Sequence, residues 1–330
     1  MKGGLLNDPR VKTILADEYG LRVEGIEAAS IDMVCDKSLE GIDFLWPGDQ
    51  LALAMYRERG GTVVRSDNIF NSPVVLYSWT PIVDKLAAAG VAQPEQGGSY
   101  YSIDLLRFVD LAKQGKTWTD LGLPGLHGKL RIRTSDPTKS NSGLLFAGLL
   151  ANALNGGEVV DATTVEPLLP LIPPYFIGLL PTASKDLFEQ FLSLGEGANP
   201  IIAAYESQLV EFILLNPAER ERINQKVRIL YPRPTVWATH PLIARTEKGA
   251  LLLQALQDDE IQDLAWKENG FRRGNGAVVD PNVFQIAGIA PEITSVIDLP
   301  PLHVMDRVLA AIAAAIGSKT VPCSPATPTR

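Results

Sequence analysis

One ten-residue stretch, Thr134 to Gly143, gathers Thr134, Ser135, Thr138, Ser140, Asn141 and Ser142 directly ahead of an apolar helical run with no acid in its first turn. Hydroxyls, an amide and the free N–H groups of a helix start suit an anion or another polar ligand. Ser140, Asn141 and Ser142 are therefore candidate ligand donors; ordinary helix capping is the competing account for one or two of them. Tyr205-Glu206-Ser207 lies at a second strand-to-helix junction, where a phenol and a carboxylate face either a cleft or simply the core. Ala29-Ser30 and Gly48-Asp49 end apolar segments in the same sense, adding Ser30, Asp49 and Tyr205 to the set, with plain caps or turns as the alternative. Asp49 would repel an anion unless protonated or bridged by a donor, and otherwise selects a solute with hydroxyl or amino groups.

Other chemistries lack a motif. Lys129 follows Gly128 without phosphate-loop spacing and opens a predicted strand, and neither GxSxG nor HExxH occurs. Cys35 and Cys323 are far apart, so neither a disulfide framework nor a zinc site is expected, and Cys35 reads as an ordinary thiol. The histidines, His127, His240 and His303, are too scattered for a ligand motif. No cofactor, no metal and no catalytic residue are expected.

These loops need elements to hold them. Helical spacing predicts helices over 11–19, 51–59, 81–89, 101–113, 144–154, 184–194, 249–257, 260–269 and 302–316. Strands are predicted at 21–26, 42–46, 62–65, 73–79, 129–134, 201–205 and 227–232. Trp46 and Trp79 fall in such runs and read as core. Alternation of the two types implies an α/β chain with a mixed or parallel sheet covered by helices.

With 46% hydrophobic residues and a mean hydropathy of +0.07, the 330 residues suffice for one large core or two modest ones. A formal charge of −8 repels polyanions and acidic membrane surfaces, so no nucleic-acid partner is expected. No apolar leader follows Met1 in the sequence as given, and the most apolar stretch, 168–180, is broken by prolines. Ser318 to Arg330 reads as a disordered tail or linker.

Ser135-Asp136-Pro137-Thr138-Lys139-Ser140-Asn141-Ser142-Gly143, Tyr205-Glu206-Ser207, Ala238-Thr239-His240-Pro241-Leu242 and Leu264 to Arg272 occur in that order. Together they resemble the bacterial extracellular solute-binding proteins of the two-lobed periplasmic type, near the phosphate- and molybdate-binding branch. The resemblance spans roughly Leu5 to Gly270. It implies a two-lobed fold with mixed sheets and crossing hinge strands: lobe one from 1–127 and 232–317, an inserted lobe two at 128–231, and a tail at 318–330. It further implies a non-enzymatic, monomeric protein, periplasmic or extracellular, that holds a small polar or anionic solute in the interlobe cleft. The solute contacts would fall on Ser30, Asp49, Ser140, Asn141, Ser142 and Tyr205, and the partner would be a transporter permease or surface receptor. A departure from the family is that its leader and first ligand-loop strand would precede Gly3-Gly4. A ligand-free interaction or sensory module, and an enzyme on the same scaffold, are the competing classes.

Overall fold

Phe70–Trp79 is ten consecutive buried residues, the pattern of a strand covered on both faces. The computed structural model describes residues 2–35, 38–178 and 184–318. Its strands are β1 (Phe44–Leu45), β2 (Arg65–Asn68), β3 (Phe70–Trp79), β4 (Ala92–Glu95), β5 (Tyr100–Ile103), β6 (Ile201–Tyr205), β7 (Val227–Pro232), β8 (Trp237–Ala238), β9 (Pro241–Ala244) and β10 (Arg272–Arg273). The middle and end of β3 pair antiparallel with β6 and β7, while its first residues pair with β10 and β8. β7 continues in parallel to β5, and β5 turns back on β4. A separate small sheet has the order β1-β9-β2.

Two short connections carry the chain between the sheets: Ile69 separates β2 from β3, and Thr239-His240 separates β8 from β9. Each sheet organises its own apolar packing. Val74 to Tyr77, Phe146, Leu149, Phe191, Ile202 and Leu230 belong to the core of the large sheet. Around the small sheet, Leu5, Val11, Trp46, Phe70, Leu253 and Phe271 pack on one side, and Leu45, Met55, Ile243 and Leu309 on the other. The helix Leu302–Ile316 spans both, giving Val304, Val308 and Ile312 to the large core and Leu302, Met305 and Leu309 to the small one. Its three-to-four-residue spacing on two faces is what allows one helix to serve two cores.

Most predicted elements appear near their expected places, and the fold is α/β with mixed sheets covered by helices. The differences have physical causes. Residues 20–29 form no strand, because a strand needs a hydrogen-bonded neighbour and none runs beside them among the described residues. Residues 129–134 likewise form only isolated bridges, Thr117 to Lys129 and Arg133 to Ile202. The 101–113 helix splits because Asp104 accepts from the Arg107 N–H and starts the helix Leu105–Lys113, leaving Tyr100–Ile103 free to pair as β5. The large sheet takes β3, β4 and β5 from before residue 128 and β6 and β7 from after it.

Cys35 is disulfide-bonded, a correction to the free thiol expected from its isolation in sequence. No helix among the described residues is long and apolar enough to cross a membrane. The tail expected at 318–330 lies, from residue 319 onward, outside the described residues.

Candidate functional site

Ser30 opens the short helix Ser30–Cys35, and its Oγ accepts a 2.9 Å hydrogen bond from the Gly48 N–H. A Cβ on Gly48 would lie 2.5 Å from Asn141 Nδ2 and 3.3 Å from Ser30 Oγ, so any side chain there would push the Asn141 amide aside. Asn141 begins the helix Asn141–Leu154 on the large-sheet side and donates from Nδ2 to the Tyr205 hydroxyl at 2.9 Å. Asp49 caps the helix Gln50–Glu58 by accepting from the Ala52 N–H at 3.0 Å. Residues far apart in sequence and attached to different sheets thus converge: Ser30, Gly48 and Asp49 from one side, Asn141 and Tyr205 from the other.

Ser140 and Ser142 sit beside this junction in a hydroxyl triangle with Ser135. The Ser135–Ser140 and Ser135–Ser142 separations are both 2.9 Å, and Ser140–Ser142 is 3.2 Å. Ser140 occupies the N-cap position without bonding a backbone N–H through its side chain, so simple capping does not describe it. The loop is pressed against the helix it precedes: a Cβ on Gly143 would stand 2.3 Å from the Ser135 carbonyl oxygen. Asp136, the acid in the loop, is engaged internally, accepting from the Thr138 N–H and hydroxyl at 2.9 and 2.7 Å.

Three further residues join the cluster without having been singled out as ligand groups in the sequence: Lys2, Trp46 and His240. Lys2 Nζ donates to the Trp46 and Pro47 carbonyls and lies 5.5 Å from the Trp46 ring centroid. His240 is 3% exposed and has a left-handed backbone with φ 40°, a strained conformation for a residue bearing a Cβ. Its carbonyl accepts from Trp46 Nε1 at 2.9 Å, and its N–H donates to the Gly48 carbonyl at 3.3 Å. The imidazole packs edge-on to Phe271, with centroids 5.0 Å apart, and lies 6.5 Å from the Tyr205 ring. Only folding reveals the role of His240, because its neighbours Gly48 and Tyr205 are remote in sequence. The available signal was its place within the Ala238 to Leu242 motif.

Burial sets the electrostatics. It pushes the Asp49 carboxyl up to about 6, against the Ala52 and Leu51 N–H groups and the Lys2 charge that favour ionisation. Lys2 is brought down to about 7, burial outweighing the attraction of Asp49. The His240 imidazole is driven well below its ordinary value by burial and then by the Lys2 charge, so it is neutral near pH 7, with one nitrogen a donor and the other an acceptor. The Tyr205 phenol is raised by burial and the Asp49 charge and stays protonated. Asp49 Oδ2, Asn141 Oδ1, Thr239 Oγ1 and both His240 nitrogens are buried without a hydrogen-bond partner. Each such group costs about 1–3 kcal/mol until something completes it.

No protein-family model matches the chain, and no curated protein does either. Solved structures do. A Bordetella parapertussis protein described as an extracellular solute-binding protein is 14% identical, aligns over 92% of this chain and 91% of its own, and gives a TM-score of 0.60. The Trichodesmium protein IdiA (FutA), solved with iron and citrate, is also 14% identical, with 94% and 96% covered and a TM-score of 0.58. The periplasmic binding protein AfuA of Actinobacillus pleuropneumoniae, solved with fructose-6-phosphate, is 10% identical, with 95% of each chain covered and a TM-score of 0.56.

The chain has the periplasmic solute-binding protein fold. Within that fold, the residues described above lie where the small and large sheets face each other. A groove of about 490 Å³ opens alongside, lined by Gln50, Arg57, Trp237, Thr239 and Leu299 among others, and so draws on both sheets and on a connection between them. The arrangement holds and orients polar groups. It pairs no hydroxyl with the His240 ring as a nucleophile and base would be paired.

Proposed function

We propose that this protein is an extracytoplasmic solute-binding protein that captures a small polar or anionic solute between its two sheets and presents it to a membrane transporter or receptor. The observation that carries this reading is the set of buried, unpartnered polar atoms on Asp49, Asn141 and His240, contributed from both sides of the junction. An external molecule that bonded to both sides would complete them and draw the halves together, since a ligand shifts an open–closed equilibrium only by its differential affinity for the two states.

In this reading lobe one is built on the small sheet and lobe two on the large one, with hinges at Ile69 to Pro73 and at Trp237 to His240. This replaces the division at 128 and 231 that the resemblance implies. Ser30 and Asp49 act from lobe one, and Ser140, Asn141, Ser142 and Tyr205 from lobe two. A periplasmic or extracellular location accords with a disulfide at Cys35, a bond that persists in oxidising compartments. The protein acts as a monomer and performs no catalysis. The resemblance to the phosphate- and molybdate-binding branch makes such an oxyanion a candidate part of the solute.

Native mass spectrometry of the purified protein, followed by calorimetry with anions, sugars and amino acids and by small-angle scattering with the best binder, tests the proposal. A bound small molecule and a smaller radius of gyration on binding are expected. Absence of any retained or titratable solute would overturn it in favour of a ligand-free interaction module.

A further inference from the structure

The unpartnered atoms at the junction are not a neutral mixture. Asp49 Oδ2, Asn141 Oδ1 and one nitrogen of the neutral imidazole are acceptors, against one imidazole N–H and the Thr239 hydroxyl as donors, so acceptors predominate. An ionised Asp49 and an amide oxygen offer only lone pairs. An oxyanion without protons, such as molybdate, brings only lone pairs too, and opposing them in a buried space is repulsive. What satisfies lone pairs is an O–H or N–H.

We infer that the solute presents hydrogen-bond donors, hydroxyl groups above all, to Asp49, Asn141 and His240; this rests on the solute-binding reading above. An ammonium is the other source of donors, but Lys2 already places a cation beside Asp49 and the Trp46 ring. Phe271 lies against the imidazole and stacks on Phe70 with centroids 5.3 Å apart and planes 6° from parallel, and Trp46 tilts onto Phe70 at 5.6 Å. These rings are buried in the core of the small sheet and hold the His240 ring from behind, while the side-chain oxygens are left to take the solute's hydroxyls. His240 is then a specificity-determining residue: the connection between β8 and β9 holds its ring in the junction at a backbone conformation that side chains rarely adopt.

The test is titration calorimetry of the whole protein with glucose, glucose 6-phosphate, inorganic phosphate, molybdate and L-serine, repeated on His240→Phe and His240→Asn. Asparagine tolerates the left-handed backbone and keeps the experiment interpretable if the phenylalanine variant folds poorly. Glucose or its phosphate is expected to bind at least tenfold more tightly than molybdate, and both variants to lose tenfold or more toward the sugar. L-serine binding best would assign the donors to an ammonium and overturn the preference for hydroxyls. Molybdate binding as tightly as the sugars, or unchanged affinity in both variants, would overturn the inference and leave solute capture standing. Silence from all five probes, together with no solute retained in native mass spectrometry, would remove both.

Discussion

Two buried polar clusters lie at the roots of the crossing strands, and the chain treats them oppositely. Glu206 and Arg272 are 0% and 1% exposed and form a two-pronged ion pair at 2.7 and 2.8 Å. Tyr231 donates to Glu206 Oε2 at 2.5 Å and accepts from the Ala290 N–H at 3.0 Å, and the Arg272 guanidinium also donates to the Ala290 and Pro291 carbonyls. This network is completed from within. It ties β10, β7 and the helix Glu206–Leu215 to one another and holds the base of β3 in a single geometry. Asp49 and His240 are comparably hidden and Asn141 is half-buried, yet all three keep unpartnered atoms. The first cluster is closed by the chain itself; in the reading proposed above, a solute completes the second.

The sharpest way to break the comparison is to damage the completed cluster. Arg272→Met leaves Glu206 buried without its partner and should cost about 3–5 kcal/mol in denaturant unfolding. A loss below about 1 kcal/mol would mean that the network is incidental. Gly143→Ala comes next. Its methyl group would meet the Ser135 carbonyl oxygen, a backbone atom with little room to yield, and overpacking of this kind costs about 1–3 kcal/mol. Retention of the wild-type melting temperature would show that the serine loop is looser than its geometry implies.

Substitutions in the incomplete cluster should act mainly on binding. Asn141→Ala or Ser142→Ala is expected to weaken solute affinity about tenfold, or about 1.4 kcal/mol, while lowering stability by about 1 kcal/mol or less. Unchanged affinity with a lower melting temperature would make the loop structural. Acidity distinguishes the clusters further. The folded Asp49 carboxyl, at about 6, lies above its unfolded value, so the stability it contributes is full below about pH 4 and is lost as pH rises through about 6. Lys2, at about 7, lies below its unfolded value, so its contribution is full above about pH 10.5 and is lost as pH falls through about 7. Together they make the unliganded protein least stable, on their account, between about pH 6 and 7. Asp49→Asn should abolish the acid-side slope in melting temperature while retaining the helix cap; identical pH profiles for the two proteins would contradict the burial of Asp49. The smallest effect belongs to Gly48→Ala, whose methyl group displaces only the tip of Asn141, giving a fewfold loss of affinity with little change in melting temperature.

Much of the candidate site was legible because strand-to-helix junctions are written locally. Ser30, Asp49, Asn141 and Tyr205 each stand where an apolar run gives way to a helix start, and the structure brings all four to one junction. His240 carried no such mark: an isolated histidine between two short strands reads as scattered until β9 is seated between β1 and β2. Lys2 is similar, since the carbonyls it meets belong to Trp46 and Pro47. The predicted strands at 21–26 and 129–134 failed for a related reason. Alternation of apolar residues expresses a preference, but pairing is decided by whether a neighbouring strand has a free edge.

The sequence by itself determined the elements whose stabilising contacts are short-range: the helices Asn141–Leu154 and Leu302–Ile316, the Asp258 cap and Gly270 stop of the helix Asp259–Asn269, and the apolar run Val74 to Tyr77 within β3. Those depend on periodicity and on side chains a few residues away. Only the tertiary structure decided which strands share the large sheet, that Gly48 stands against Asn141, and that Asp49 and His240 are sealed from water with atoms to spare. Sheet pairing and desolvation depend on chain segments far apart in sequence, and the cost of an unpartnered polar atom arises only once the surrounding water has been excluded.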